Sequence, residues 1–189
     1  MISLRAARPA DAVAIGAVHV AAWRSAYPGI LPDDYLARLS VTRQAAHYDA
    51  AIRGPGGVFV AVASGVDLPT ASPPRIIGFS TVGRGRGAAI AEARLGEGEV
   101  ETLYVLDDWR ERGIGRRLLR AAAEHLAKNG CKSLYVWVLR DNPSCWFYQR
   151  LGGTRTAEAA IRVAGQSVVQ TAFVWDPIQR LLAASPQDS

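Results

Sequence analysis

The segment from Val105 to Gly115 has the residue types and the spacing that could bind a phosphate group. Its sequence, VLDDWRERGIG, leads from a predicted strand into a helix whose first turn contains Gly113 and Gly115. Free N–H groups and the dipole at a helix start favour an anion, and glycines let the backbone approach it closely. The turn lacks the third glycine of a dinucleotide-binding fingerprint and the Gly-Lys-Ser/Thr of a P-loop. A tight connection that binds nothing stays open as the alternative.

Positive charge is concentrated in the same part of the chain. Five arginines and one glutamate give a net charge of +4 within residues 110–120, whereas the whole chain carries +5. This focus favours a compact anionic ligand over a nucleic acid, whose backbone needs a broad basic face. We therefore expect no nucleic-acid partner. A solvated helix face is the alternative that the charge alone leaves open.

Composition indicates one globular domain in a reducing compartment. The chain has 189 residues, 49% of them hydrophobic and 21% charged, which is too apolar for a disordered protein. Its two cysteines cannot form a disulfide framework. The start of the chain lacks the apolar region of a signal peptide, and the longest apolar run, Ala12 to Trp23, is too short to span a bilayer. We expect a cytoplasmic protein with no membrane association.

The elements that would position the phosphate-binding turn alternate between strands and helices. Apolar patterns predict strands at Ser3–Arg5, Val58–Val62, Ile76–Val82, Glu99–Leu106, Ser133–Leu139, Thr154–Val163 and Ser167–Trp175. They predict helices at Pro9–Ala26, Asp33–Ile52 (with a break near Ser40), Gly113–Asn129 and Asn142–Leu151. Gly65–Pro74 is predicted as a surface loop, Gly83–Gly98 as a mobile loop, and the tail from Ser185 as frayed. The pattern predicts an α/β fold with one sheet.

Two motifs resemble those of the GNAT superfamily of acetyl-CoA-dependent N-acetyltransferases. Arg110, Gly113 and Gly115 match its Arg/Gln-x-x-Gly-x-Gly/Ala pyrophosphate motif, and the preceding segment EVETLYV resembles the family's fourth strand. The segment NPSCWFY, which ends at Tyr148, resembles the family's second motif and is followed by two glycines. The N-terminal AWRSAYPGILP also resembles one branch of the superfamily.

The resemblance implies a single-domain GNAT-like fold over residues 1–176, followed by a C-terminal extension over residues 177–189. Its central sheet would be mixed, have about six to seven strands and be flanked by helices. The co-substrate would be acetyl-CoA, and the acceptor would be an amine. A homodimer is left open, because the apolar hairpin from Thr154 to Trp175 could support either an interface or the core.

The resemblance also assigns residues to the binding of the co-substrate. Backbone amides from Arg112 to Arg116 would bind the pyrophosphate, and the predicted strand would splay after Glu99 so that the pantetheine pairs with it like an added strand. The residues assigned in this way are Leu103, Tyr104, Val105, Arg110, Arg112, Gly113, Ile114, Gly115, Arg116 and Asn142. A turn at the start of the next helix is the alternative role for Asn142, since Asn-Pro favours such turns.

Two catalytic roles follow from the same resemblance. Glu99 matches the family's base, acting directly or through a water, and Tyr148 matches the acid that protonates the CoA sulfur. Glu101 is the second choice for the base and a candidate substrate-binding residue, because a regular strand would place it on the same face as Glu99. The alternatives are solvent-facing glutamates and a tyrosine packed in the core. Tyr148 follows Asn142 by six residues, where the commoner family motif has seven.

The acceptor site is the least determined part of the sequence. Trp23 and Tyr27 lie four residues apart on one predicted helical face, with His19 four residues before Trp23. Such a stripe is typical of a core, although the resemblance places this region beside the acceptor and makes Trp23 and Tyr27 candidate substrate-binding residues. The histidines have no partners at metal-ligand spacing, so no metal is expected. A CoA-binding sensor that has lost catalysis is the alternative function.

Overall fold

The computed structural model describes residues 1–67, 72–85 and 95–185. The strands are β1 (Ile2–Ala6), β2 (Gly57–Ala63), β3 (Arg75–Arg84), β4 (Gly98–Val105), β5 (Leu134–Leu139), β6 (Thr154–Val163) and β7 (Gln166–Trp175). The α-helices are α1 (Ala12–Ala26), α2 (Asp33–Ala37), α3 (Val41–Arg53), α4 (Ile114–Lys128), α5 (Cys145–Arg150) and α6 (Gln179–Ala184). Parts of the predicted loops Gly65–Pro74 and Gly83–Gly98, and the tail beyond Ser185, lie outside the described residues.

All seven strands form one sheet in the order β1-β2-β3-β4-β5-β7-β6. Neighbouring strands are antiparallel except β4 and β5, which are parallel. Helices cover both faces, with α1 and α3 on one side and α4 on the other. The predicted α/β class with a mixed sheet of six to seven strands is confirmed.

Strands β4 and β5 pair only over their first three residues. Gly98–Val100 pair with Leu134–Val136, after which the two strands diverge. On their outer sides, β4 stays paired with β3 as far as Val105 and β5 stays paired with β7 as far as Leu139. A cleft therefore opens in the middle of the sheet, between two facing strand edges.

A β-bulge marks the point of divergence. Thr81 of β3 lies opposite Thr102, whereas the next residue, Val82, lies opposite Val100, so Glu101 is an extra residue in β4. A bulge of this kind bends the strand and increases its twist. It also interrupts the alternation of side chains on which the prediction for Glu101 depended.

Close contact between α4 and the sheet fixes where α4 begins. The helix buries Leu118, Leu119 and Leu126 against the strands, each of them at most 3% exposed. Gly98 permits this approach, because a Cβ atom there would lie 2.8 Å from a methyl group of Leu126. The last turn of α4 thus lies at the paired start of β4, and Ile114, at the start of α4, packs in one cluster with Val105 at the other end of β4, where the cleft is open.

The break predicted near Ser40 is present, strand β3 is longer than predicted, and a further helix lies beyond residue 176. The segment Asp33–Ile52 forms two helices, separated at Ser40, whose Oγ accepts the Arg43 N–H at 3.3 Å and so begins α3. Strand β3 continues through Gly83 and Arg84, which were expected in a loop, because both pair with β4. Beyond residue 176, α6 packs on the domain and buries Leu181 completely.

Candidate functional site

A cavity of about 890 Å³ occupies the cleft between β4 and β5. Its walls come from the end of α1, the open edges of β4 and β5, the first turn of α4, helix α5 and the β6–β7 hairpin. The volume lies within the range that small-molecule and cofactor sites occupy. Every predicted site residue except Glu99 and Arg112 lines this cavity.

The first turn of α4 has the conformation of an anion-binding helix start. Gly113 has a φ of +73°, which glycine adopts without strain, and the helix begins at the next residue. Ile114 is 1% exposed and anchors the turn, while Gly115 faces the ring of Phe147. The backbone N–H groups of this turn have no partners within the helix, so they can bind a ligand anion.

The arginines around this turn have different roles. Arg116 lines the cavity, and so does Arg110, whose guanidinium lies 2.8 Å from an oxygen of Asp107. Arg112 instead covers the buried Trp109 ring, with its guanidinium carbon 4.8 Å from the ring centroid. Its side chain contributes to the packing of the loop, and only its backbone remains a candidate for binding.

The open edge of β4 forms one side of the cleft. Leu103, Tyr104 and Val105 line the cavity and lie across from Trp137, Val138 and Leu139 of β5. Neither segment pairs with the other, so the backbone groups that face the cleft are available to an extended ligand. This geometry agrees with the expected splay, which begins after Val100 and not directly after Glu99.

Asn142 links α5 to the end of α1. Its side-chain oxygen accepts the Ser144 N–H at 2.8 Å, and its amide nitrogen donates to the Tyr27 hydroxyl at 3.3 Å. The first bond is the turn that Asn-Pro favours, and the second fixes the Tyr27 ring at the cavity wall. Asn142 also lines the cavity, so its predicted contact with the co-substrate remains a prediction.

The two candidate bases lie in different surroundings. The carboxylate of Glu99 accepts a hydrogen bond from the Tyr135 hydroxyl at 2.9 Å, and Glu99 is not among the described residues that line the cavity. Glu101 does line it. Because Glu101 is the bulge residue, its carboxylate turns toward Gly83 on the face covered by α1. The structure thus brings Glu101, rather than Glu99, to the cavity.

Tyr148 lies in the cavity wall with an aromatic cluster behind it. It is 5% exposed, its ring stacks on Phe173 with centroids 5.7 Å apart, and Phe147 meets it edge-on at 5.1 Å. Burial, together with the nearby Tyr27 and Cys145, raises the pKa of the phenol. Its hydroxyl therefore keeps its proton at neutral pH and can act as a donor.

Trp23 and Tyr27 also line the cavity. The rings contact each other at 5.0 Å, and Trp23 stacks on His19 on its other side, also at 5.0 Å. His19 is 7% exposed and its Nδ1 lies 2.7 Å from the Tyr48 hydroxyl; burial lowers its pKa to about 4. The predicted stripe is thus divided, with His19 in the core and the two larger rings at the cavity.

Some lining residues were missed by the sequence prediction. They include Trp137 and Leu139 on β5, and Ile161, Val163 and Gln170 on the β6–β7 hairpin. The hairpin itself was predicted, but its position beside β5 depends on the sheet order. Alternation along β6 could have identified Ile161 and Val163 as residues of one face.

The described part of the chain was also compared with what a metal site and a membrane span require. In residues 1–67, 72–85 and 95–185, no group of three or more His, Cys, Asp or Glu side chains is arranged to hold a metal ion. The helices in those ranges include none that is both long and apolar enough to cross a membrane.

Comparison with known proteins identifies the family. The model of the acetyltransferase (GNAT) family matches residues 20–153. YuaI, an uncharacterized N-acetyltransferase of Bacillus subtilis, is 32% identical over 181 residues, which is 96% of each chain.

Two solved structures have a similar fold. A GCN5-related N-acetyltransferase of Rhodopseudomonas palustris superposes with a TM-score of 0.69 at 20% identity, covering 92% of this chain and 94% of its own. The protein yncA of Salmonella typhimurium, solved with its cofactor acetyl-CoA, superposes with a TM-score of 0.65 at 22% identity, covering 93% of this chain and 94% of its own. The family match extends over the cleft and the first turn of α4 alike, and the chain therefore belongs to the GNAT family of acetyltransferases.

Proposed function

We propose that this protein transfers the acetyl group of acetyl-CoA directly to a primary amine of a small molecule, peptide or protein, within a ternary complex. The observation that carries the proposal is the cleft between β4 and β5, which ends at the glycine-containing first turn of α4. The similar yncA was solved with acetyl-CoA, which supports the choice of co-substrate.

The residues around the cleft fit that co-substrate. The unpaired edges of β4 and β5 offer backbone groups to an extended, amide-containing chain. The start of α4 offers backbone N–H groups to a diphosphate, with Arg110 and Arg116 beside it. Acetyl-CoA supplies an activated thioester carbonyl when it is bound.

The proposed proton transfers need a base for the acceptor amine and an acid for the leaving thiolate. Glu101 in the cavity can accept a proton from the acceptor amine; Glu99, the base predicted from the sequence, could take part through a water. Tyr148 holds a proton on its hydroxyl oxygen at the cavity wall, where it can be given to a leaving thiolate. Trp23 and Tyr27 would contact the acceptor. The cytoplasmic location and a homodimer remain predictions.

The test measures thiol release from acetyl-CoA with a panel of primary amines. We expect amine-dependent release by the wild-type protein, and a loss of about 10²-fold or more in kcat for the variant that lacks the base. Glu101→Gln and Glu99→Gln are compared, with Glu158→Gln as the matched control, since Glu158 does not line the cavity. Binding of acetyl-CoA without turnover on any amine would contradict the proposal and favour the sensor that has lost catalysis.

A further inference from the structure

We propose that Gln170 is a specificity-determining residue, which binds a neutral amide group carried by the acceptor. This inference rests on the proposed function and concerns the acceptor end of the same cavity. Gln170 belongs to β7 and lies opposite Leu139 of β5 and Ala159 of β6. Residues that pair across neighbouring strands point to the same face of a sheet. The Gln170 side chain therefore shares a face with Leu139.

That face is the one on which the end of α1 packs. Leu139, Val163 and Val168 pack together with Trp23 and Tyr27 in one apolar cluster. Leu139, Val163 and both aromatic rings also line the cavity, as does Gln170 itself. The amide of Gln170 is thus at the boundary between β7 and the proposed acceptor site.

The Gln170 side chain is buried and polar, and it has no hydrogen bond within the part of the chain that the structure describes. The residue is 8% exposed. Its amide atoms are not among the described polar atoms that are both unbonded and fully shielded, so they keep some accessible surface. A polar group in such a position is satisfied by a water or by a ligand. Because Gln170 lines the cavity, a bound molecule can reach its amide.

The chemistry of the wall favours a neutral partner. Most side chains around Gln170 are apolar, and the arginines of the cavity belong to the start of α4 and to α5. Glu101 is the carboxylate on the β4 wall, and it would repel a carboxylate on the acceptor. A glutamine side chain offers both a donor and an acceptor, and an amide group satisfies both at once.

The test uses amines in matched pairs of equal length and shape. One member carries a terminal carboxamide (glycinamide, β-alaninamide, 4-aminobutanamide or 6-aminohexanamide), and the other carries an isopropyl group in its place. Acetylation of each pair is measured with the wild type, with Gln170→Leu and with the control Gln149→Leu. Gln149 is exposed on α5 and does not line the cavity. Acetyl-CoA binding is measured for all three proteins.

We expect the wild type to prefer the amide of at least one pair by about tenfold in kcat/KM. Gln170→Leu should remove that preference, mainly through a higher KM for the amide, and leave the isopropyl amine within about twofold. The control should keep the wild-type preference.

Results that contradict the role of Gln170 can be distinguished from results that contradict the proposed function. Equal rates for both members of every pair in the wild type would overturn the role of Gln170 alone. No turnover of any pair would do the same if the protein acetylates another amine of the panel. Failure to bind acetyl-CoA, or binding without turnover of any amine, would overturn the proposed function, and this inference with it.

Discussion

Replacing Tyr148 by phenylalanine separates its chemical role from its packing role. The substitution removes only the hydroxyl group, while the ring keeps its stacking on Phe173 and its edge contact with Phe147. The ring is 5% exposed, so the packing that stabilises the fold is retained. We expect the free energy of unfolding to change by less than about 1 kcal/mol.

The effect on catalysis should be much larger. A positioned general acid contributes about 10²- to 10⁴-fold to a rate, which corresponds to roughly 3 to 5 kcal/mol of the activation free energy. We expect Y148F to lower kcat within that range and to leave the dissociation constant of acetyl-CoA within about twofold. Thiol release at saturating amine measures kcat, and titration with acetyl-CoA measures binding.

Tyr35→Phe is the matched control, because Tyr35 lies near Trp23, which lines the cavity, but does not line the cavity itself. It should keep the wild-type kcat. A Y148F protein with unchanged kcat would refute the assignment of Tyr148 as the acid. A protein that melts far below the wild type would show that the hydroxyl is needed for the fold.

Two further predictions concern stability. The pKa of His19 falls from 6.5 in the unfolded chain to about 4 in the fold, so protonation of His19 favours unfolding. The contribution of neutral His19 to the free energy of unfolding should be fully present above about pH 6.5. It should decline by up to about 3 kcal/mol as the pH falls toward 4. Urea unfolding across this pH range should show that decline, and it should be smaller in His19→Gln. An equally steep decline in the variant would assign the pH dependence to other groups. Gly153→Ala should destabilise by about 1 to 3 kcal/mol, because the new Cβ would lie 2.7 Å from the Trp175 ring, and a melting temperature equal to that of the wild type would contradict this packing argument.

The parts of the site that could be predicted are those whose residues lie close together in the sequence. Gly113, Gly115 and Arg116 form a single turn, so their spacing in the sequence is their spacing in space. Tyr148 follows from a contiguous aromatic motif in the same way. Both motifs lie at the cavity because they adjoin the ends of β4 and β5.

The parts that could not be predicted depend on long-range pairing. The bulge at Glu101 arises from the register between β3 and β4, and nothing local in the sequence reveals a register. A regular strand would place Glu99 and Glu101 on one face, and the resemblance made Glu99 the first choice for the base, whereas of the two only Glu101 lines the cavity. Gln170 reaches the cavity because β7 lies beside β5, which is a property of the sheet order.

Two local features show which details a short stretch of sequence can and cannot predict. The break near Ser40 was predicted, and the structure explains it through the bond from the Arg43 N–H to the Ser40 hydroxyl. The resemblance assigned only the backbone amide of Arg112 to the co-substrate and left the place of its side chain open. Its position over Trp109 depends on how the loop folds back, which the motif does not specify.

The most direct test of the central claim is the melting temperature with and without acetyl-CoA, compared with adenosine diphosphate and desulfo-CoA. If the turn at Gly113 and the open edge at Leu103 both bind, acetyl-CoA at a hundred times its dissociation constant should stabilise the fold by about 2.7 kcal/mol, roughly 5 to 11 °C for a chain of this length. Desulfo-CoA should stabilise comparably, and the diphosphate clearly less at equal concentration. No shift at millimolar acetyl-CoA would contradict the assignment of the β4–β5 cleft as the co-substrate site.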